Sequence, residues 1–255
     1  MINDKLQREV FHFLFLEKLL KISEPKFYIL KGGVNFRFFF QSPRYSEDMD
    51  LDVLGGSVET IKKNGYKILE DAAFVRSLKA YGISNLILSD PSKAKQTSTT
   101  QRFRLRLVNE AGEEFPTKVE FSRRDSTSSD DMLLGNINPQ IAAKFGRLTF
   151  SCFHYTAESA VLQKVRALAG RTETQARDVF DLYLLYLGGS VHSEKIIQKI
   201  SSEERQQAVS ALDNLSYEHY RGQVVEYLET EVRLQYDSQE TWNLMCTMIR
   251  ECLHE

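Results

Sequence analysis

The sequence predicts a mixed α/β half, built on a mixed sheet, followed by an all-helical half. Two observations predict it. Short, partly alternating runs of apolar residues fill the chain between about residues 27 and 124, whereas helical spacing dominates after about residue 131. The chain has 255 residues, of which 42% are hydrophobic, and no internal repeat. This length allows one large domain or two small ones with a substantial core.

The first half begins with an amphipathic helix. Apolar residues recur at helical spacing over 4–22, and Pro25 ends that segment. The alternating runs that follow predict strands, and Asn109 to Gly112 predicts a hairpin turn between two of them. The predicted strands are Met49–Leu54, Ile83–Ser89, Arg102–Val108 and Thr117–Phe121.

A polar, serine-rich stretch from Arg123 to Asp131 predicts a linker or mobile loop. We therefore expect an α/β domain over residues 1–130 and a helical domain over residues 131–255. The helical domain is expected to contribute to an active-site cleft. Thr156 is a candidate N-cap, and Asp237 with Glu240 has capping-box spacing. The predicted helices are Ala157–Ala169, Gln175–Leu187, Glu203–Leu212, Tyr217–Tyr236 and Ser238–Cys252.

Composition narrows the function classes. Lysine and arginine number 33 against 35 acidic residues, so any attraction for nucleic acid must be local. Three cysteines without Cys-x-x-Cys spacing fit a reducing cytoplasm, and we expect neither a signal peptide nor a membrane span. The five histidines lack metal-ligand spacing and there is no Gly-x-Ser-x-Gly elbow, which argues against zinc and serine-hydrolase chemistry.

Two neighbouring motifs carry the candidate chemistry. Gly32-Gly33 before a helix would let backbone N–H groups approach a phosphate, although an ordinary turn has the same sequence. Asp48 and Asp50 alternate on a predicted strand, so both carboxylates lie on one face, and Asp52 could join them. Crowded carboxylates attract a divalent cation such as Mg²⁺. The alternative is an acidic outer face of a solvated edge strand.

A third carboxylate, Glu120, lies on a later alternating strand between Val119 and Phe121. Together with Asp48 and Asp50 it would make a metal-assisted phosphoryl-transfer site possible. In the helical half, Asp178 and Asp181 share a helix face, and Lys164 lies on the preceding helix. Lys164 could reach donor phosphates, or Lys164 or Arg171 could form an interhelical salt bridge with these aspartates.

These motifs resemble a known family, the AbiEii/AbiGii-type nucleotidyltransferase toxins, which include the MenT group, within the polymerase-β-like superfamily. The first matching motif is Gly32-Gly33 followed by Arg44-x-Ser46-x-Asp48-x-Asp50. The second comprises Lys164 and its helix, then Arg177-Asp178-x-x-Asp181-Leu. The resemblance implies a nucleotidyltransferase α/β domain joined to a helical domain, Mg²⁺ or Mn²⁺, and a nucleoside triphosphate donor such as ATP, GTP or CTP. It also implies a tRNA acceptor and a role as toxin, with a cognate antitoxin, in a toxin–antitoxin or phage-defence system.

The resemblance also implies residue roles. Asp48, Asp50, Lys164 and Asp178 would be catalytic, and Asp48, Asp50 and Glu120 would bind the metal. The residues expected to bind the nucleotide are Lys31, Gly32, Gly33, Arg44, Ser46, Lys164 and Arg177.

A local basic face is the candidate acceptor surface. Arg102, Arg104 and Arg106 alternate along one strand and could bind RNA phosphates, although arginines on the solvent side of a strand are common. Two alternatives to RNA modification remain open. One is an enzyme of the same fold that modifies a protein or a small molecule, and the other is a non-catalytic nucleotide- or protein-binding module.

Overall fold

The computed structural model describes residues 3–90, 96–123, 128–189, 191 and 193–254. The chain divides into two compact units. The first comprises Met1–Phe39 and Tyr45–Tyr155, and the second comprises Phe40–Arg44 and Thr156–Glu255. No helix in the described part of the chain is long and apolar enough to cross a membrane.

The first unit is an α/β unit. Its helices are α1 (Asp4–Ile22), α2 (Gly32–Phe39), α3 (Val58–Leu69), α4 (Ala72–Leu78) and α5 (Pro139–Lys144). Its strands are β1 (Tyr28–Lys31), β2 (Met49–Val53), β3 (Ile83–Leu88), β4 (Thr100–Asn109), β5 (Glu114–Arg123), β6 (Met132–Asn136) and β7 (Ser151–Tyr155). Short 3₁₀ turns lie at Pro25–Phe27, Lys79–Tyr81 and Ser129–Asp131.

The strands form one mixed sheet. Within the described residues its order is β3-β4-β5-β2-β1-β7-β6. β2 pairs parallel with β5 and β1 parallel with β7, while the other neighbours pair antiparallel. Apolar residues of one sheet face pack with α1 and α3 in the core, among them Met49, Leu51, Val119 and Phe121. Period-two alternation therefore leaves the opposite face of β2 and β5 polar.

The predicted strands and hairpin agree with this sheet. In the hairpin between β4 and β5, Gly112 has φ +81° and the Asn109 side chain accepts from the backbone N–H of Ala111 at 2.9 Å. The sheet continues past residue 130, where the sequence placed the domain boundary. β6 and β7 follow that residue and pair with the rest of the sheet, so the first unit extends to Tyr155. Residues 124–127 of the predicted linker lie outside the described residues.

The second unit is helical, as predicted. Its helices are α6 (Ala157–Gly170), α7 (Ala176–Leu187), α8 (Ser193–Ile197), α9 (Ser202–Leu212), α10 (Tyr217–Gln223), α11 (Thr230–Tyr236) and α12 (Gln239–His254). Thr156 caps α6 by accepting from the backbone N–H of Ser159 at 3.2 Å. The predicted Asp237 cap is wrong, because Ser238 instead accepts from the backbone N–H of Thr241 at 3.1 Å.

The single helix predicted over Tyr217–Tyr236 is also wrong. α10 ends at Gln223, a 3₁₀ turn covers Val225–Tyr227, and α11 begins at Thr230. The reason is tertiary. Leu228 forms an antiparallel bridge with Arg44, and the backbone N–H of Glu229 donates to the Pro43 carbonyl at 3.0 Å. These bonds use backbone groups that a continuous helix would need for itself.

Candidate active site

The polar face of the sheet gathers the acidic residues of β2. Asp50 and Asp52 alternate along the strand, and Asp48 immediately precedes it. Met49 and Leu51, which point the other way, are buried in the core. The alternation predicted from the sequence is therefore present, and it places the three carboxylates on one face.

Strand register sets the neighbours of Asp50. It lies opposite Lys31 of β1 on one side and Glu120 of β5 on the other. Arg102 of β4 lies opposite Glu120, and its Nε donates to Glu120 Oε2 at 2.5 Å. A row of four charged residues thus crosses four strands at the level of Asp50, with two adjacent carboxylates between two cations.

Asp48 is held by a residue that sequence reasoning missed. The backbone N–H of Lys118 donates to Asp48 Oδ1 at 3.1 Å, and Lys118 Nζ donates to Asp48 Oδ2 at 2.7 Å. Ser46 Oγ donates to the Asp48 backbone carbonyl at 2.8 Å. The sequence did contain a signal for Lys118. It precedes Glu120 by two residues, so strand alternation places both side chains on the same face. Ser46, expected to bind nucleotide, here supports the backbone of Asp48.

The Asp50 carboxylate differs from its neighbours in having no hydrogen-bond partner among the described residues. Burial raises its pKa, and the negative charges of Asp48 and Glu120 raise it further, whereas Lys118 and Lys31 oppose the shift. The nearby ammonium groups of Lys118 and Lys31 therefore offset only part of what burial and the two neighbouring carboxylates cost the charged form of Asp50.

The Gly32-Gly33 turn lies directly beside Asp50. β1 ends at Lys31 and α2 begins at Gly32, whose φ is +66°. A Cβ added to Gly32 would lie 3.2 Å from Asp50 Oδ2. Glycine is thus needed here both for the left-handed backbone and for the close approach of the carboxylate.

Asp52 and Lys31 form a buried pair. Asp52 is only 2% exposed and accepts from Lys31 Nζ at 2.5 Å and from Tyr155 Oη at 2.6 Å. Lys31, expected to bind nucleotide, is engaged here with a carboxylate of its own sheet. Tyr155 comes from β7, more than a hundred positions away in the sequence, so no local pattern could have indicated it.

The three carboxylates expected to bind metal do not form a preassembled coordination site. In the described ranges, no group of three histidine, cysteine or acidic residues is arranged to hold a metal ion. Lys118 forms an ion pair with Asp48, and Arg102 forms one with Glu120. The donor set still fits a hard divalent cation, because Asp48 and Asp50 supply oxygen ligands and the Asp50 carboxylate accepts no hydrogen bond from the residues that the structure describes. The role of Glu120 stays a prediction.

The second unit contains a buried ion cluster. Lys164 of α6 donates to Asp178 and contacts Asp181 of α7, with Nζ to oxygen distances of 2.7 and 2.6 Å. Both aspartates are fully buried. Arg171 reaches Asp178 at 2.9 Å, and Arg44 reaches Asp181 at 3.2 Å. The interhelical salt bridge considered from the sequence is therefore present.

These ion pairs set the protonation of Asp181. Burial acts to raise its pKa, but Arg44 and Lys164 outweigh burial and hold the pKa below its usual value. Arg44, expected to bind nucleotide, thus serves as a partner of Asp181 here. Arg177, the remaining residue of this motif, is partly buried and contacts no ionic partner among the described residues.

The three alternating arginines of β4 differ in their surroundings. Arg102 is paired with Glu120, and Arg106 with Glu114 at 2.8 Å. Arg104 is exposed and has no ion-pair partner in the described part of the chain. It lies in an open cleft of about 460 Å³ beside Asp48. The cleft is lined by Glu47, Asp48, Ser89, Arg104, Leu105, Arg106, Pro116, Thr117 and Lys118.

Comparison with known proteins identifies the family of the chain. The model of the family described as "Nucleotidyl transferase AbiEii toxin, Type IV TA system" matches residues 14–254, almost the whole chain. This chain belongs to the AbiEii family. The family and enzyme class inferred from the two sequence motifs are confirmed: the protein is a nucleotidyltransferase of a toxin family from type IV toxin–antitoxin systems. Membership implies a nucleoside triphosphate donor and an antitoxin.

Solved structures confirm the fold. MenT4, a nucleotidyltransferase toxin of Mycobacterium tuberculosis H37Rv, is 16% identical with a TM-score of 0.58 over 99% of this chain and 84% of MenT4. A nucleotidyltransferase-like crystal structure from Helicobacter pylori is 18% identical with a TM-score of 0.54 over 100% and 98% of the two chains. JHP933 of Helicobacter pylori is 18% identical with a TM-score of 0.51 over 98% and 93%. No curated protein matches the chain.

Proposed function

We propose that this AbiEii-family protein transfers a nucleoside monophosphate from a nucleoside triphosphate to RNA, with tRNA as the acceptor, and acts as the toxin of a toxin–antitoxin pair. The observation that carries the proposal is Asp50, a partly buried carboxylate without a hydrogen-bond partner among the described residues, between Asp48 and Glu120. Such a carboxylate needs a cation, and a nucleotide brings its phosphates to the same cation.

The donor belongs on the β1–β2 side of this site. Gly32 begins α2 within reach of Asp50, so phosphates held by the turn would lie next to the carboxylates. The N-terminus of an eight-residue helix offers free backbone N–H groups and the positive end of its dipole. Gly32 and Gly33 therefore remain the proposed triphosphate contacts.

Asp48 and Asp50 would hold Mg²⁺ or Mn²⁺. Such an ion, when bound, neutralises charge on the donor phosphates and on the attacking oxygen. Lys118 Nζ occupies Asp48 here, so in the proposed reaction this ammonium turns toward the phosphates instead. Lys164 and Asp178 remain proposed catalytic residues, as the family resemblance implies.

The proposed reaction is an in-line displacement. The oxygen of an acceptor hydroxyl forms a bond to the α-phosphorus, and the bond from that phosphorus to the oxygen bridging the α- and β-phosphates breaks. Pyrophosphate leaves with that oxygen, and the hydroxyl proton passes to solvent. Asp48 and Asp50 orient the reactants, while Gly32 and Gly33 fix the triphosphate.

The cleft around Arg104 is the proposed acceptor surface. It lies on the β5–β4 side of Asp48, whereas the Gly32 turn lies on the β1 side, so the two substrates would approach from opposite sides. Arg104 and Lys118 supply positive charge for a phosphodiester, and Leu105 and Pro116 supply apolar surface for a base.

The transfer is tested by incubating the protein with each α-³²P-labelled nucleoside triphosphate, Mg²⁺ and total cellular RNA, with Asp50→Asn as the control. We expect label in tRNA-sized RNA from one or more donors, and only with the unaltered protein. Label in protein or in a small molecule would show that the acceptor is that molecule and not RNA. No label from any donor in any fraction would refute the proposed transfer.

The acceptor surface is tested by Arg104→Glu, with Arg76→Glu as the matched control. Arg76 is an exposed arginine of α4 in the same unit and, within the described part of the chain, also forms no ion pair. We expect Arg104→Glu to raise KM for RNA about tenfold, to leave KM for the donor unchanged, and to reduce the salt dependence of RNA binding by about one phosphate contact. Equal RNA affinity of both variants would contradict this surface.

A further inference from the structure

A chain of three hydrogen-bonding groups connects α1 to the start of β2. His12 Nε2 lies 3.0 Å from Thr117 Oγ1, and Thr117 Oγ1 donates to the Glu47 carbonyl at 2.6 Å. His12 is 1% exposed and Thr117 is 5% exposed, so water does not compete for these bonds. Neither residue belongs to the motifs that identified the family.

The direction of the bonds follows from counting protons. A carbonyl oxygen only accepts, so the single hydroxyl proton of Thr117 points to Glu47. Thr117 Oγ1 must then accept from His12, which requires that the His12 proton be on Nε2. Burial lowers the pKa of His12 to about 3, with the nearby charges of Asp48 raising it and Arg8 lowering it. The ring is therefore neutral at physiological pH and acts as a fixed donor.

The Glu47 carbonyl lies just before the sheet ladder begins. Pairing of β2 with β5 begins at Met49 opposite Val119. Immediately before that point, Thr117 holds the Glu47 carbonyl, and Lys118 holds both oxygens of Asp48. Two consecutive residues of β5 thus fix the two residues that lead into β2.

The same helix also anchors the start of β5. Arg8, one turn before His12 on α1, donates from Nε to the Pro116 carbonyl at 3.0 Å. Arg8 is itself paired with Asp4 at 2.7 Å. Two contacts with α1 therefore determine the position of Thr117 relative to His12. They also hold in place the hydroxyl group that donates to the Glu47 carbonyl.

We propose that His12 and Thr117 are positioning residues, which hold the Glu47–Asp48 peptide so that the Asp48 carboxylate is aimed at the divalent cation. The inference rests on the proposed function, in which Asp48 and Asp50 bind that cation. Hydrogen bonds behind the ligands orient a metal site in this way, and their loss typically weakens metal binding about 10- to 100-fold.

The test is Mn²⁺ binding to the purified protein without nucleotide, with free Mn²⁺ measured by electron paramagnetic resonance. Thr117→Val removes the hydroxyl at nearly constant volume, and Thr117→Ser retains it. Thr149→Val is the matched control, because Thr149 Oγ1 also donates to a backbone carbonyl in this unit, that of Ile137. We expect about tenfold weaker Mn²⁺ binding for Thr117→Val, recovery for Thr117→Ser, and no change for Thr149→Val.

His12→Leu provides a second variant should Thr117→Val fold poorly, as judged by circular dichroism and thermal unfolding. It removes the donor to Thr117 and should weaken Mn²⁺ binding in the same direction. His12→Gln, which can still donate an N–H, should retain more of the affinity.

Two further outcomes separate this inference from the proposed function. If Mn²⁺ binds, Thr117→Val weakens it and no transfer to any acceptor is found, the positioning role stands and the proposed reaction fails. If the folded Thr117→Val and His12→Leu variants bind Mn²⁺ as the unaltered protein does, or if the unaltered protein binds none, the positioning role is overturned.

Discussion

The Asp50 carboxylate lowers the stability of the fold but is needed for the proposed reaction. Burial raises its pKa, with Asp48 and Glu120 contributing in the same direction, so above that raised pKa the ionised carboxylate makes the folded state less stable. We expect Asp50→Asn to abolish transfer and to stabilise the metal-free protein by about 1 kcal/mol, a typical gain when a strained functional group is removed. Urea unfolding at pH 7 without divalent cations measures this change.

Asp52→Asn is the contrasting variant for that experiment. Asp52 is buried with Lys31 and Tyr155 as partners, so loss of its charge should destabilise the protein. If both substitutions changed the free energy of unfolding in the same direction, the difference in pairing between the two carboxylates would not explain their behaviour.

Gly32 allows a second prediction at the scale of a residue. Gly32→Ala should lower the transfer rate, because its Cβ would lie 3.2 Å from Asp50 Oδ2. It should also destabilise the folded protein by about 1 kcal/mol, because φ is +66° at this position. Gly112→Ala is the control, since φ is +81° there and no atom lies within 4 Å of the added Cβ. We expect similar losses of thermal stability from both variants but a loss of transfer only from Gly32→Ala. Equal transfer rates would remove Gly32 from the site.

At the scale of elements, the sequence predicted those whose pattern is local. α1 has its predicted bounds, and β2, β4 and β5 show the predicted alternation because one face of each is buried. β6 lacked such a signal, since Leu133 and Leu134 are both exposed and do not alternate. The break between α10 and α11 depends on the bridge from Leu228 to Arg44, a contact between distant parts of the chain.

The site shows the same division. Asp48, Asp50 and Glu120 follow from strand alternation, and Gly32 from the turn that begins α2. Alternation with Glu120 placed Lys118 on the polar face, but its contact with Asp48 depends on strand register. The partners Tyr155 and His12 depend on packing between elements, which neither local spacing nor the family motifs indicated. The roles of these residues in binding and catalysis remain predictions.

The buried ion cluster between α6 and α7 gives a prediction for Arg44. Asp181 is fully buried, with Arg44 and Lys164 as its cationic partners, so Arg44→Met should destabilise the second unit by about 3 kcal/mol. Adding Asp181→Asn should recover part of that loss, because the uncompensated charge is then absent. Urea unfolding followed by Trp242 fluorescence measures both, as Trp242 is the one tryptophan and lies in this unit. An unchanged midpoint with a raised KM for the donor would favour nucleotide binding alone.

At the scale of the whole molecule, the two units contain different buried titratable groups. The first contains His12 and His154, whose pKa values burial lowers to about 3 and about 4. The second contains Asp181, whose pKa lies below its usual value because Arg44 and Lys164 outweigh burial. The two units should therefore lose stability over different ranges of acidic pH.

The signs follow from which state binds the proton. A histidine with a depressed pKa in the folded state is protonated first in the unfolded state, so the stability of the first unit should fall as pH decreases below about 6.5, by up to about 1.4 kcal/mol per pH unit for each histidine. Asp181 differs from the histidines because its charged form is the deprotonated one. Its stabilising contribution is complete above its ordinary pKa of 3.8 and is lost only as the pH falls further.

Hydrogen exchange by mass spectrometry between pH 7 and pH 4.5, corrected for intrinsic exchange rates, would resolve the two units. We expect protection of β1, β2, β5 and β7 to fall over this range, while the urea midpoint reported by Trp242 changes less. The double variant His12→Gln with His154→Gln should flatten the pH dependence of the first unit, because both buried imidazoles are then absent. If the double variant kept the full slope, groups other than these two histidines would control the acid sensitivity of the α/β unit.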